Sequence, residues 1–322
     1  MTLSNEPALK YMNALPAPAS TQSANIMCML SMLIWAMGLP AADLLISVVP
    51  PLPLNAARMV MAAACLLPLW WWLEGRDALT SANWLKGLLI GGGTIGLGAF
   101  MLLLGQGMTN AVTVAVISAT MPVMGIAIEV VLDGRKITPG LVIGLLLSLA
   151  GGVMALGGFK DGIGLGLGAL LCFGSIMLYT LGSRMTVTSF PQLTALGRST
   201  ITLVGAALAT TLAATASAMW GGPGPDWQTL GLKELGALAI FSIGGLAISQ
   251  LLWILAIGSL GIALSSLHIN ATPFYVMVIL FALGGEWNWI QPLAATIVGL
   301  GVLIAQGIIP VWKTSVAPAS TE

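Results

Sequence analysis

The chain has 322 residues, of which 57% are hydrophobic and 7% charged, with zero net formal charge and a mean hydropathy of +0.99. A soluble domain carries about 25% charged residues, so the composition excludes a water-covered surface and indicates an all-α polytopic membrane protein. The absence of net positive charge also argues against nucleic acid as a partner.

Residues 1–24, with Pro7, Pro16 and Pro18, read as a disordered cytoplasmic tail with no cleavable signal, so the apolar run after it should stay as an anchor. Windows of ~20 apolar residues bounded by charges or Pro/Gly turns mark membrane-spanning helices. They fall at about 25–46, 54–73, 85–105, 112–132, 139–158, 163–183, 192–218, 235–257, 262–283 and 290–312, followed by a cytoplasmic tail at 313–322. Leu235 to Gly285 is 51 residues long without one Asp, Glu, Lys or Arg, which leaves room for two helices, and Lys86 to Glu129 encloses a similar run. The turns at Gly105 to Ala111, Gly158 to Gly162 and Gly258 to Gly261 are very short, and the longest connection, Trp220 to Glu234, is rich in Gly and Pro. No extramembrane domain is visible, so any activity must lie within the membrane.

Cys28, Cys65 and Cys172 are scattered in apolar runs and read as small buried hydrophobes, with neither a disulfide framework, a metal site nor a cofactor implied. Glycines such as Gly87, Gly91, Gly92, Gly93, Gly96 and Gly98, and Gly162 to Gly168, read as helix-packing positions. A phosphate-binding loop would need a preceding strand. Trp70, Trp71, Trp72, Trp84, Trp220, Trp227, Trp287, Trp289 and Trp312 stand at predicted helix ends as interfacial belts, while Trp35, Trp253, Phe274 and Tyr275 lie deeper.

Two helices share an unusual design. Ser118 and Thr120 precede Pro122, while Ser265, Ser266, His268, Asn270 and Thr272 precede Pro273, 151 positions later. Polar runs entering a helix-breaking proline are tolerated where neighbouring helices or a water-filled cavity satisfy the freed backbone. The two prolines mark an internal repeat: residues 25–160 form one half and residues 161–312 the other. Trp35 then aligns with Phe173, and Arg58 with Arg198. Five helices per half is an odd number, so the second half enters the membrane upside down, as in secondary transporters whose solute sits at the midplane. Counting Lys and Arg at the helix ends gives eight on the side of both termini and three opposite, which puts both termini in the cytoplasm.

Trp35, the Pro-rich turn before Arg58, the Pro122 and Pro273 helices, Gly285-Glu286, and the ends Gly152-Val153 and Gly301-Val302 together resemble the EamA-type members of the drug/metabolite transporter superfamily. The resemblance covers roughly residues 25 to 312. Where that family has a Gly-Glu turn in its first half, this chain has Gly134-Arg135. It implies a ten-helix fold of two inverted five-helix repeats in the inner membrane. It also implies transport of amino acids, related metabolites or drugs, with import in some members.

The expected pocket draws on helices 1, 3, 4, 6, 8 and 9. Its polar contacts are Gln106, Ser118, Thr120, Gln250, Ser266, His268 and Asn270, with Trp35 and Tyr275 as cavity walls. His268, the only histidine, suits either a proton relay or a hydrogen bond to a neighbouring helix. Asn270 and Thr272 either line the cavity or satisfy backbone freed by Pro273. Arg58 and Arg198 either attract a substrate carboxylate or snorkel to the interface. Glu286 reads as a carboxylate complementing the start of the last helix. Ser265, Ser266 and His268 lack a carboxylate orienter, which speaks against an enzyme. With no GxxxxGK[ST] motif, the expectation is gradient-driven export of a small amino-acid-like solute, with protons as the coupling ion. An importer, a channel-like pore or a membrane enzyme are the alternatives.

Overall fold

The computed structural model describes residues 20–134, 136–155, 166–305 and 308–309. The described residues form helices joined by turns, with no strand among them. The helices are α1 Thr21–Ile46, α2 Pro51–Thr80, α3 Trp84–Gly107, α4 Ala111–Ser118 continuing as Met121–Asp133, α5 Pro139–Ala155, α6 Leu167–Ser189 and α7 Ala195–Met219. They are followed by α8 from Leu232–Ala239 to Ser249–Ser266, α9 Thr272–Ala282 and α10 Ile290–Ala305. Seven of them, α1 to α4 and α6 to α8, are long and apolar enough to cross a bilayer. Leu85, Leu89, Leu146 and Leu212 point outward and exposed, as a lipid-facing surface requires. The predicted turn at Gly158 to Gly162, the belt residue Trp312 and most of both tails lie outside the described residues.

One predicted turn is absent. The helix runs unbroken from Ser249 to Ser266 through Gly258–Gly261, and the chain departs from α geometry only in the 3₁₀ segment Leu267–Ala271. Glycine alone does not break a helix that lipid denies any other hydrogen-bond partner, whereas Pro273 removes a backbone donor. Pro122 does the same in α4: the helix stops at Ser118 and restarts at Met121, and the Thr120 hydroxyl donates to the Ile117 carbonyl at 2.7 Å.

α3 and α8 each contain a rarer irregularity, a π-helical stretch, at Gly91–Gly96 and Ile240–Ile248. These wider turns leave carbonyls open to side chains. Asn55 of α2 donates to the Gly96 carbonyl at 3.1 Å, and Arg58, one turn later, reaches the Gly245 carbonyl at 3.5 Å. Gly96 and Gly245 are 149 positions apart. Gly134 and Gly284, the left-handed turns that end α4 and α9 with φ of 68° and 90°, are 150 apart. Such φ values favour glycine.

Glycine sets how closely the helices pack. A methyl group on Gly91 would overlap the Thr202 carbonyl of α7, and one on Gly105 of α3 would stand 2.6 Å from the Gly168 carbonyl of α6. Backbones can approach this closely only across small residues. The same principle joins α5 to α10, where a methyl on Gly151 would come 2.8 Å from the Ala294 carbonyl. The principal packing partners are α1 with α8, α5 with α10, α3 with both α6 and α7, and α2 with α7, while α4 and α9 meet over a smaller area.

The tryptophan belt is only partly as expected. Trp71, Trp72, Trp220 and Trp289 are exposed, but Trp70 is fully buried against Trp84, with ring centroids 6.0 Å apart. Its indole N–H donates to Glu74 at 3.0 Å, and Glu74 accepts a second hydrogen bond from Thr194, the residue capping α7. A helix-end position does not fix which side the ring faces, and Trp70 lies toward α7.

Candidate functional site

A cavity of about 640 Å³, counting its open mouth, lies among α1, α2, α3, α6, α8 and the 3₁₀ link before α9. Its apolar walls are Met32, Trp35, Met59, Ile95, Leu102, Ile176, Trp253 and Ile269. Its polar groups are fewer: Ser31, Arg58, Ser175, Tyr179, Ser249 and Gln250. Such a small polar set in an apolar cleft is the usual make-up of a small-molecule site.

The π segment of α8 positions most of this chemistry. Ser31 donates to the Ser249 carbonyl at 2.7 Å, and Ser249 donates to the Gly245 carbonyl at 2.9 Å. The Arg58 guanidinium stacks on the Phe241 ring, 3.8 Å from its centroid. An arginine can lie flat on an aromatic face and keep its in-plane donors for other partners. Arg58 is 3% exposed, its Nε has no partner among the described residues, and no described carboxylate pairs with it. On the facing helix Tyr179 donates to Gln250 Oε1 at 2.5 Å. The Gln250 Nε2 group, also buried, is left without an acceptor.

The residues singled out in the sequence divide by location. Trp35, Gln250 and Arg58 line the cavity. α2 brings Arg58 there, although the expected pocket omitted that helix. Gln106 lies away from the cavity: its Nε2 donates to the Leu39 carbonyl at 2.7 Å and to Asp43 at 2.8 Å. Arg198 is bound to the α6–α7 turn, donating to the Phe190 and Pro191 carbonyls at 2.8 and 3.0 Å. A cation on the last carbonyls of a helix complements its negative end. The alignment of Arg58 with Arg198 therefore does not carry over to their surroundings.

Ser118 is buried at the break in α4 with its hydroxyl unpartnered, and Ser266 is buried at the end of α8. His268 places its Nδ1 3.2 Å from the Ser265 carbonyl of its own helix, Asn270 is half-buried, and the Tyr275 hydroxyl lies 3.8 Å from Met29 Sδ. None of these lines the cavity. Glu286 is exposed, and Asn288, not Glu286, accepts the first amide of α10, at 3.0 Å. Tyr179 and Ser249 were not among the expected site residues. Tyr179 falls in the middle of an apolar helix, and only its facing toward α8 distinguishes it from a packing residue.

The arrangement can hold a small solute by a few hydrogen bonds and one positive charge. Among the described lining residues no His, Asp or Glu stands beside the serines to act as a base. Among the described residues no group of His, Cys, Asp and Glu could ligate a metal.

The first half of the sequence, residues 22–157, matches the EamA-like transporter family. The EamA-like segment runs from α1 through α5, so it supplies Ser31, Trp35, Arg58 and the α3 wall of the cavity. Over the whole molecule, a crystal structure of a protein of unstated function superposes on 90% of this chain and 98% of its own, at 19% identity and a TM-score of 0.67. That likeness concerns fold alone, and it extends past the EamA-like half. No curated protein matches the sequence. The chain thus joins seven helices long and apolar enough to cross a membrane to a segment similar to the EamA-like transporter family.

Proposed function

We propose that this chain is a secondary transporter built of two inverted five-helix repeats. It exports a small amino-acid-like metabolite across the inner membrane by alternating access, driven by a proton gradient. The observation that carries the reading is the pairing of the helices. Adding or subtracting five turns the α1–α8 pair into α6–α3, and it returns α2–α7, α4–α9 and α5–α10 to themselves. Pseudo-two-fold exchange of this kind supports an inverted repeat with its solute site between the halves. The matched π segments, proline breaks and left-handed glycines support the same register.

The Lys/Arg balance supports cytoplasmic termini. Reporter fusions at Ala24 and Val316 are expected to report cytoplasm and one at Gly224 the outside. Termini on opposite sides would remove the inverted repeat.

The function is tested with everted vesicles. Expressing vesicles should accumulate labelled amino acids or their derivatives saturably, and more so under an imposed proton gradient. Saturable uptake confined to right-side-out vesicles would reverse the direction. Conductance without saturation would replace the transporter with a channel.

A further inference from the structure

Two buried donor atoms on cavity-lining side chains, Arg58 Nε and Gln250 Nε2, have no partner among the described residues. The Arg58 guanidinium uses one face on Phe241 and reaches the Gly245 carbonyl only at 3.5 Å, leaving Nε free. The Gln250 amide has its oxygen engaged by Tyr179 and its Nε2 unengaged. Both side chains are more than nine-tenths buried and both line the same cavity. A structural role for Arg58, tying α2 to α8, accounts for the Gly245 contact. It does not account for Nε, nor for an unmatched amide on the same wall. Buried donors of this kind carry a large desolvation penalty unless an acceptor meets them.

We infer that the cavity selects solutes bearing one carboxylate and no free ammonium group, with Arg58 and the Gln250 amide holding the carboxylate oxygens. This rests on the transporter reading and narrows its solute class to amino-acid derivatives whose amine is acylated or absent. A guanidinium and an amide N–H₂ match the two oxygens of a carboxylate in charge and in donor number. Arg58 is the only cation among the described lining residues, which suits a monoanion better than a dianionic phosphate. An ammonium group would find no carboxylate there, and it would be repelled by Arg58 at low dielectric. The Ser31 and Ser249 hydroxyls already donate to backbone carbonyls, so their oxygens remain as acceptors for a neutral N–H or O–H of the solute.

Four probes of one skeleton separate the charge states: N-acetyl-leucine (anion), leucine (zwitterion), N-acetyl-leucinamide (neutral) and leucinamide (cation). Binding to the purified chain in nanodiscs is read from quenching of tryptophan fluorescence, since Trp35 and Trp253 border the cavity. N-acetyl-leucine should bind at least tenfold more tightly than the other three. Arg58→Gln should erase that preference, and Arg58→Lys should keep part of it. Gln250→Glu retains an oxygen for Tyr179 but places a negative charge beside the solute. It should weaken the anion at least tenfold more than the neutral amide, a charge-selective loss that misfolding cannot imitate. Equal binding of acid and amide, or no binding of any of the four, overturns the inference. Saturable flux with equal binding of acid and amide would leave transport standing and remove the clamp. Tight binding of the acid with no flux in liposomes would keep the clamp and remove transport.

Discussion

Gly91→Ala is expected to prevent accumulation of folded protein, while Gly93→Ala, two residues along the same helix, leaves it intact. The added methyl at Gly91 would run into the backbone carbonyl oxygen of Thr202, with the Ala206 amide nitrogen 2.9 Å away. No side chain can rotate away from that clash, so α3 and α7 must separate. Overpacking ordinarily costs about 1–3 kcal/mol, and occasionally more. A clash with backbone across a whole helix pair belongs at or above the top of that range, a large share of the ~5–15 kcal/mol that holds a typical domain. A methyl on Gly93 meets nothing within 4 Å. Membrane abundance and the elution profile of detergent-extracted protein check both variants. Equal recovery of the two would show that α3 and α7 do not pack as described.

Asp43→Ala should be the next most damaging change, and it should couple strongly to Gln106→Leu. One Asp43 oxygen accepts from Gln106 Nε2 at 2.8 Å, and the other accepts from the Ala111 amide, the first of α4, at 3.2 Å. The carboxylate thus joins α1 to the end of α3 and the start of α4, where unsatisfied helix donors favour negative charge. Hydrogen bonds to charged groups contribute about 1.5–3 kcal/mol each, so losing both should lower thermal stability markedly. Gln106→Leu strips one donor from a half-buried carboxylate, and the double variant should be much less damaged than the two single losses combined. Thermal unfolding of the four members of that cycle provides the check. Simple additivity would mean that the two side chains do not act as a unit.

What the sequence disclosed, and what it hid, follows from the range of each signal. Pro122 and Pro273 act on their own backbone, so the breaks at Ser118 and at Leu267–Ala271 could be read from the chain alone. Glycine-rich α3 was legible for a similar reason: only the absence of a side chain lets helices touch. Asp43 drew no notice because its meaning lies in Gln106 and Ala111, 63 and 68 positions away. The π segments left no mark either, since their carbonyl partners, Asn55 and Arg58, sit on another helix. Arg58 and Arg198 are the clearest case. Near helix ends and aligned by the repeat, they look interchangeable, yet one borders a cavity and the other binds a turn. A one-residue reading cannot separate these fates, because each depends on which helix lies opposite.

If the chain works by the proposed alternating access, that difference between the two arginines bears on its resting state. A machine whose halves exchanged perfectly would have two equal-energy conformations, one open to each side, and would spend half its time in each. On the inverted reading, the second half has no counterpart to the hold of Arg58 on the π segment of α8, because Arg198 is committed to the α6–α7 turn. Such unmatched contacts survive in one conformation and are strained in the other, and a bias of 1.4 kcal/mol already means tenfold unequal populations. On the proposed alternating-access reading, Arg58→Gln would remove that unmatched contact and so shift which face of the membrane the empty protein waits upon.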